Sequence, residues 1–190
     1  AHAQVALQVR RLEQRLVEAT STEGDWRMAL FRNPQALLQP VDASGAVLLY
    51  DGEIMSAGDV PSVPELRALH AWLRSQPSDG LFSSNAMART APELASLTAL
   101  ASGVLAVPLS SAGTDMLIWF RKEQLQTITW AGDPHKPFVA TSPTEMTPRT
   151  SFAAWSEIVR ATALPWTLGE QALARAVGHA LTQIILQVNA

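Results

Sequence analysis

The chain has no cysteine, which excludes disulfides, thiolate zinc sites, cysteine nucleophiles and thioether-linked cofactors within it. That composition accords with a reducing, cytoplasmic setting. Charge of either sign is sparse: 14 Lys and Arg stand against 17 Asp and Glu, a formal net charge of -3. No basic footprint of the kind that phosphate contacts require is present, so nucleic acid is not an expected partner. Long hydrophobic runs are missing too. No stretch approaches the roughly 18 apolar residues of a spanning helix, and no charged start followed by an apolar core and a small-residue cleavage site opens the chain, so a soluble protein without a membrane partner is expected. The four histidines, His2, His70, His135 and His179, are scattered and share no metal-ligand spacing. There is no GxSxG elbow, Walker loop or glycine-rich dinucleotide turn. Asp51-Gly52-Glu53 and Asp59 are explained by turn chemistry rather than as paired catalytic acids. The sequence therefore predicts a domain without catalysis, metal or cofactor of its own.

What is present suits one domain: 190 residues, 47% hydrophobic, are enough to bury a core. The clearest patterns lie at the two ends. Val5, Val9, Leu12, Leu16 and Ala19 recur at four- and three-residue steps among Arg10, Arg11, Glu13, Arg15 and Glu18, a helix with a narrow, coiled-coil-like seam. Leu173, Val177, Ala180, Ile184 and Val188 line a second, more apolar helix, widened by Ala176, Leu181 and Ile185. Neither pattern ends in a cap, so both helices are expected to continue into a longer protein.

Between them the sequence alternates strands and helices. Asn33-Pro34 opens a short helix, with Asn as the cap and proline at the first position. Residues 46–50 and 53–57 form a hairpin around Asp51-Gly52, the dipeptide of a type I′ turn. Ser62-Val63-Pro64-Glu65 has capping-box spacing before a helix carrying Leu66, Leu69, Trp72 and Leu73. Thr90-Ala91-Pro92-Glu93 predicts a second internal helix that Gly103 closes. Three β-rich runs follow, at 104–109, 115–121 and 125–130. The expected fold class is α/β: a GAF/PAS-like antiparallel five-stranded sheet flanked by helices, with long N- and C-terminal helices.

Residues 131–151 break that order. They hold Pro134, Pro137, Pro143 and Pro148 among small polar residues, and loops of this length are uncommon unless functional or disordered. The segments at its borders are Trp119-Phe120-Arg121-Lys122-Glu123, Trp130-Ala131-Gly132-Asp133-Pro134-His135-Lys136-Pro137, Pro148-Arg149-Thr150-Ser151-Phe152-Ala153-Ala154-Trp155-Ser156-Glu157 and Leu164-Pro165-Trp166. In order and spacing they resemble the hallmarks of the phytochrome PHY domain, including the W(G/A)G and PRxSF motifs of its hairpin extension, the tongue. The resemblance covers nearly the whole chain and looks like that of a bacterial phytochrome. One motif fits in two places. W-x-E matches Trp155-Ser156-Glu157 literally, and aligns also with Trp166, where Leu168 replaces the acid.

The resemblance implies a photosensory domain, 1–190, with the tongue and its return helix at 131–163. It implies a bilin, biliverdin in most bacterial members, held by a preceding GAF domain whose pocket the tongue seals. Signal then passes to a C-terminal output module, a histidine kinase in many relatives, through helices that pair in a homodimer. The implied tongue contacts to the GAF domain are Pro148, Arg149, Ser151, Phe152, Trp130, Gly132, Trp155, Glu157 and Trp166. Arg149 would pair with a GAF aspartate in the red-absorbing state, and Ser151 would replace it in the far-red-absorbing state. Taken alone, Arg149 reads as a solvated loop arginine and Ser151 as a helix N-cap.

Geometry gives that exchange a rationale. Residues two apart share a face in a strand and lie about 200° apart in a helix, so refolding swaps which of Arg149 and Ser151 meets a fixed carboxylate. From Arg149 to Ala163 there is neither glycine nor proline, and Phe152, Trp155 and Val159 would give a helix an apolar stripe. Converting about ten residues from strand to helix shortens the span by roughly 18 Å. Trp130, Trp155 and Trp166 flank this segment and are candidates to exchange in one socket, whereas Trp26, Trp72 and Trp119 are assigned to the core. Two other readings compete: a generic GAF-like regulatory domain whose sheet cups a small ligand, and a dimerising connector built on the 5–19 seam and the terminal helix.

Overall fold

The computed structural model of the chain describes residues 2–23, 25–77, 79–124 and 160–189. Strand faces dictate the architecture. In β1 (Gly45–Tyr50) Ala46 and Leu48 face one core while Val47 and Leu49 face another. β4 (Gly103–Pro108) and β5 (Met116–Arg121) divide in the same way. This is the period-two alternation of a strand buried on both sides, so each face needs its own helical cover. One cover consists of α1 (His2–Glu23), α2 (Trp26–Arg32), α3 (Pro34–Leu38) and α7 (Leu168–Val188). The other consists of α4 (Val63–Arg74), α5 (Met87–Thr90), a 3₁₀ segment (Pro92–Leu97) and α6 (Thr98–Ala101). With β2 (Glu53–Gly58) and β3 (Phe82–Ser84) the sheet is five-stranded, antiparallel and ordered β2-β1-β5-β4-β3.

Local expectations hold where turn and cap chemistry is explicit. Asp51 and Gly52 have φ of 53° and 77°, the two left-handed residues that a type I′ turn demands. Ser62 and Glu65 form a reciprocal capping box on α4. Pro34 opens α3, although the Asn33 side chain makes no capping bond. Trp26 and Trp119 are buried, and Trp72 packs edge-on to Phe82.

Three expectations change. Among the described residues the fifth strand is β3, unexpected because three residues are too few for a periodic signal; the strand expected at 125–130 lies outside the described residues. The second internal helix opens at Pro92 but is irregular: Pro92–Leu97 is 3₁₀, with Leu94 off the helical region at φ -104°, ψ 24°, and only Thr98–Ala101 is α-helical. Gly103 accordingly opens β4 instead of closing a helix. The third change concerns the seam of α1. Val9 and Leu16 are buried, and Leu12 packs beside them, in the core shared with α7, so those residues serve packing within the chain rather than a partner helix. At the far end of α7, Val188 is exposed.

Under α4 the middle of the sheet is filled, Val47, Leu49, Ile118 and Phe120 packing on Leu66, Leu69, Leu94 and Leu97, so a small-ligand site on this face is confined to the cleft at its β3–β4 end.

Candidate functional site

The site forms where β5 ends. Arg121 is the last residue of β5 and, among the described residues, the buried charged one. A guanidinium carries five N–H donors, and here each has an acceptor. Nε donates to the Asp42 carbonyl at 3.0 Å. Nη2 donates to the Val41 carbonyl at 2.7 Å and to Glu170 Oε2 at 2.6 Å. Nη1 donates to the carbonyls of Leu164 and Pro165 at 3.1 and 2.8 Å. The indole of Trp166 lies against the same group, with Cζ 3.9 Å from the ring centroid, a stacked cation–π contact that a flat guanidinium favours.

Four pieces of backbone thus meet on one side chain: the end of β5, the turn before β1, the segment 164–166 and the first turn of α7. Neighbouring glycine permits the approach. A Cβ on Gly103 would lie 2.9 Å from that of Arg121 and 3.1 Å from that of Ala163, closer than side chains pack, so β4 opens with glycine where the returning chain crosses it.

Glu170 has two tasks. Oε2 meets Arg121, and Oε1 accepts from the Thr167 amide at 2.8 Å in a capping box that starts α7. Burial pushes the Glu170 carboxyl up, but the Arg121 guanidinium and the Thr167 amide outweigh it and hold the group below its ordinary 4.5. The signal for this capping box, Thr167-Leu168-Gly169-Glu170, was present in the sequence and overlooked. Arg121 stood in a quoted motif without an assigned role.

The chain leaves and re-enters at this point. Gln124 N donates to the Thr162 carbonyl at 2.7 Å, and Ala161 N to Glu123 Oε2 at 2.6 Å, so the outgoing and returning limbs are clasped. Asn85 holds Ala163 on both sides, its carbonyl accepting from the Ala163 amide and its Nδ2 donating to the Ala163 carbonyl, at 2.8 and 3.1 Å. Trp166 Nε1 donates to the Ser84 carbonyl at 3.1 Å, and Gln171 Nε2 to the Trp166 carbonyl at 3.0 Å. Ala161 carries φ 62°, a left-handed conformation that costs an L-residue about 1–2 kcal/mol.

Of the residues assigned from sequence, Trp166 falls inside this junction. Trp130, Gly132, Pro148, Arg149, Ser151, Phe152, Trp155 and Glu157 lie outside the described residues. No trio of His, Asp or Glu forms a metal site, and no helix is long and apolar enough to cross a membrane, among the described residues.

A family model described as the phytochrome region, PHY, matches residues 9–190. The chain belongs to the phytochrome PHY family. It is 31% identical over 183 residues to cyanobacterial phytochrome B of Nostoc, covering 95% of this chain and 24% of that protein. Against a bacteriophytochrome of Xanthomonas campestris the identity is 33% over 139 residues, covering 69% and 22%. The crystal structure of a bacteriophytochrome from the photosynthetic bacterium R. palustris superposes with a TM-score of 0.69 at 28% identity, covering 97% of this chain and 37% of that one. This PHY domain therefore spans about a quarter of the length of its curated cyanobacterial relative.

Proposed function

We propose that this PHY domain relays light signals in a bilin-carrying photoreceptor. The tongue, 131–163, closes the chromophore pocket of a preceding GAF domain, biliverdin being the pigment. Arg149 engages a GAF carboxylate in one photostate and Ser151 in the other, as the segment refolds between strand and helix. The output lies beyond the C-terminal helix, a histidine kinase being the class that the resemblance favours, in a cytoplasmic homodimer joined along its helices. The domain itself performs no catalysis.

The observation that carries this reading is the junction at Arg121. The segments that lead into and out of the proposed tongue, 123–124 and 161–162, are clasped to each other there, and the returning one is bonded to the same guanidinium as the first turn of α7. A change of length in the tongue pulls on 160–166, and that segment is fastened to Arg121, through Trp166 to the Ser84 carbonyl and, through Gln171, to α7. An Arg–carboxylate pair suits the locking task because two parallel charge-assisted bonds fix direction as well as energy. In the complete photoreceptor Arg149→Ala is expected to speed bleaching or dark relaxation; unchanged spectra and kinetics would contradict the role.

A further inference from the structure

At the opposite end of β5 the sheet leaves a cleft of about 430 Å3, inside the range of small-ligand sites. β3 pairs with β4 only as far as Phe82↔Ala106, whereas β4 pairs with β5 on to Pro108↔Met116. Where β3 stops short the cleft has an apolar floor, lined by half-buried Phe82 with the buried Ala106 and Met116 beneath it. Two arginines stand on different walls. Arg74, the last residue of α4, donates from Nε to the Ala112 carbonyl at 3.3 Å; one turn earlier His70 Nε2 meets the Gly113 carbonyl at 2.8 Å, so α4 pins that loop twice. Arg175 on α7 donates from Nη1 to the Asp79 carbonyl at 3.1 Å.

Each guanidinium is thus oriented by a single backbone bond and keeps further donors for the cleft. Neither has a carboxylate within ion-pair distance among the described residues. One acid, Asp79, also lines the cleft, and its Oδ1 accepts from the Leu81 amide at 3.4 Å, leaving the walls with a surplus of positive charge.

We infer that this cleft binds a small organic anion, its flat apolar body on the β3–β4 floor and its carboxylate or phosphate group between Arg74 and Arg175. The apolar floor selects against bare inorganic ions, and the two forks select against neutral analogues. Gln171 lines the same cleft and holds the Trp166 carbonyl, so an occupant would touch a residue of the signalling junction.

Titration calorimetry of the chain with phenyl phosphate, benzoate, benzyl alcohol and inorganic phosphate tests this. Saturable binding of phenyl phosphate or benzoate is expected, the tighter of the two naming the anionic group, with benzyl alcohol and inorganic phosphate each weaker by about ten-fold or more. Arg175→Gln, which keeps a donor for the Asp79 carbonyl, and Arg74→Ala should each weaken the organic anion by a similar factor. Arg10→Ala, removing the same charge from α1, should leave it unchanged. No saturable binding, equal binding of inorganic phosphate, or equal losses in Arg10→Ala and the cleft variants would overturn the proposal. Circular dichroism of each variant confirms that the fold is retained.

Discussion

The two ends of β5 use arginine in opposite ways. At one end Arg121 is buried, all five donors are engaged, and a carboxylate and an indole complete its surroundings. At the other, Arg74 and Arg175 are exposed and held by one backbone bond each. A buried cation without partners is costly, so the first arrangement exists only because four chain segments converge on it. The second leaves its positive charge available. The first fastens the segments at 123–124 and 160–166 to α7, and the second carries the proposed anion site.

The largest expected break in this contrast is Arg121→Ala. Removing one partner of a buried pair costs about 3–5 kcal/mol, and here it also strands the carbonyls of residues 41, 42, 164 and 165; denaturant unfolding of the chain measures it.

Next is Glu170→Gln, expected to cost about 2 kcal/mol at neutral pH because a charge-assisted bond becomes a neutral one. The pH dependence carries its own sign. Because the folded carboxyl lies below its ordinary 4.5, its stabilisation is complete above that value and is lost as pH falls through the lowered one. Acid unfolding of Glu170→Gln should lack this contribution, so the difference between the two proteins narrows as the pH drops.

Ala161→Gly should act in the other direction, gaining up to about 1 kcal/mol by removing left-handed strain, less the extra freedom of glycine in the unfolded chain. A lower melting temperature would show that Ala161 is unstrained. The smallest effects belong to the cleft: Arg74→Ala and Arg175→Ala should each change stability by no more than about 0.5 kcal/mol. Losses as large as that of Arg121→Ala would erase the distinction between the two ends.

Which parts of this were legible follows the locality of the signal. The 51–52 turn and the capping box at 62–65 are written in adjacent residues and could be read directly. So could family membership, from motifs strung along the chain. β3 escaped because three residues carry no period. The 3₁₀ geometry of 92–97 escaped because a start signal at Pro92 does not say whether the bonds that follow span three residues or four. The α1 seam was legible as a packing stripe but not its partner, α7, because periodicity specifies a face and not what covers it. Arg121 is the instructive case. Its partners come from 41–42, 164–166 and 170, separations over which no local rule applies. Only the sheet register and the crossing of the returning limb over Gly103 bring them together.

The central claim is that the junction at Arg121 passes a change in the tongue to α7. Because this chain has no cysteine, nitroxides can be placed within it at Glu93→Cys and Gln187→Cys, both exposed positions, and their separation measured by pulsed electron spin resonance in the complete bilin-loaded photoreceptor, dark and illuminated. A light-dependent distance change is expected, and it should be lost or strongly reduced in Arg121→Lys, whose ammonium cannot serve five acceptors. No change on illumination, or the same change with lysine at 121, would contradict the account.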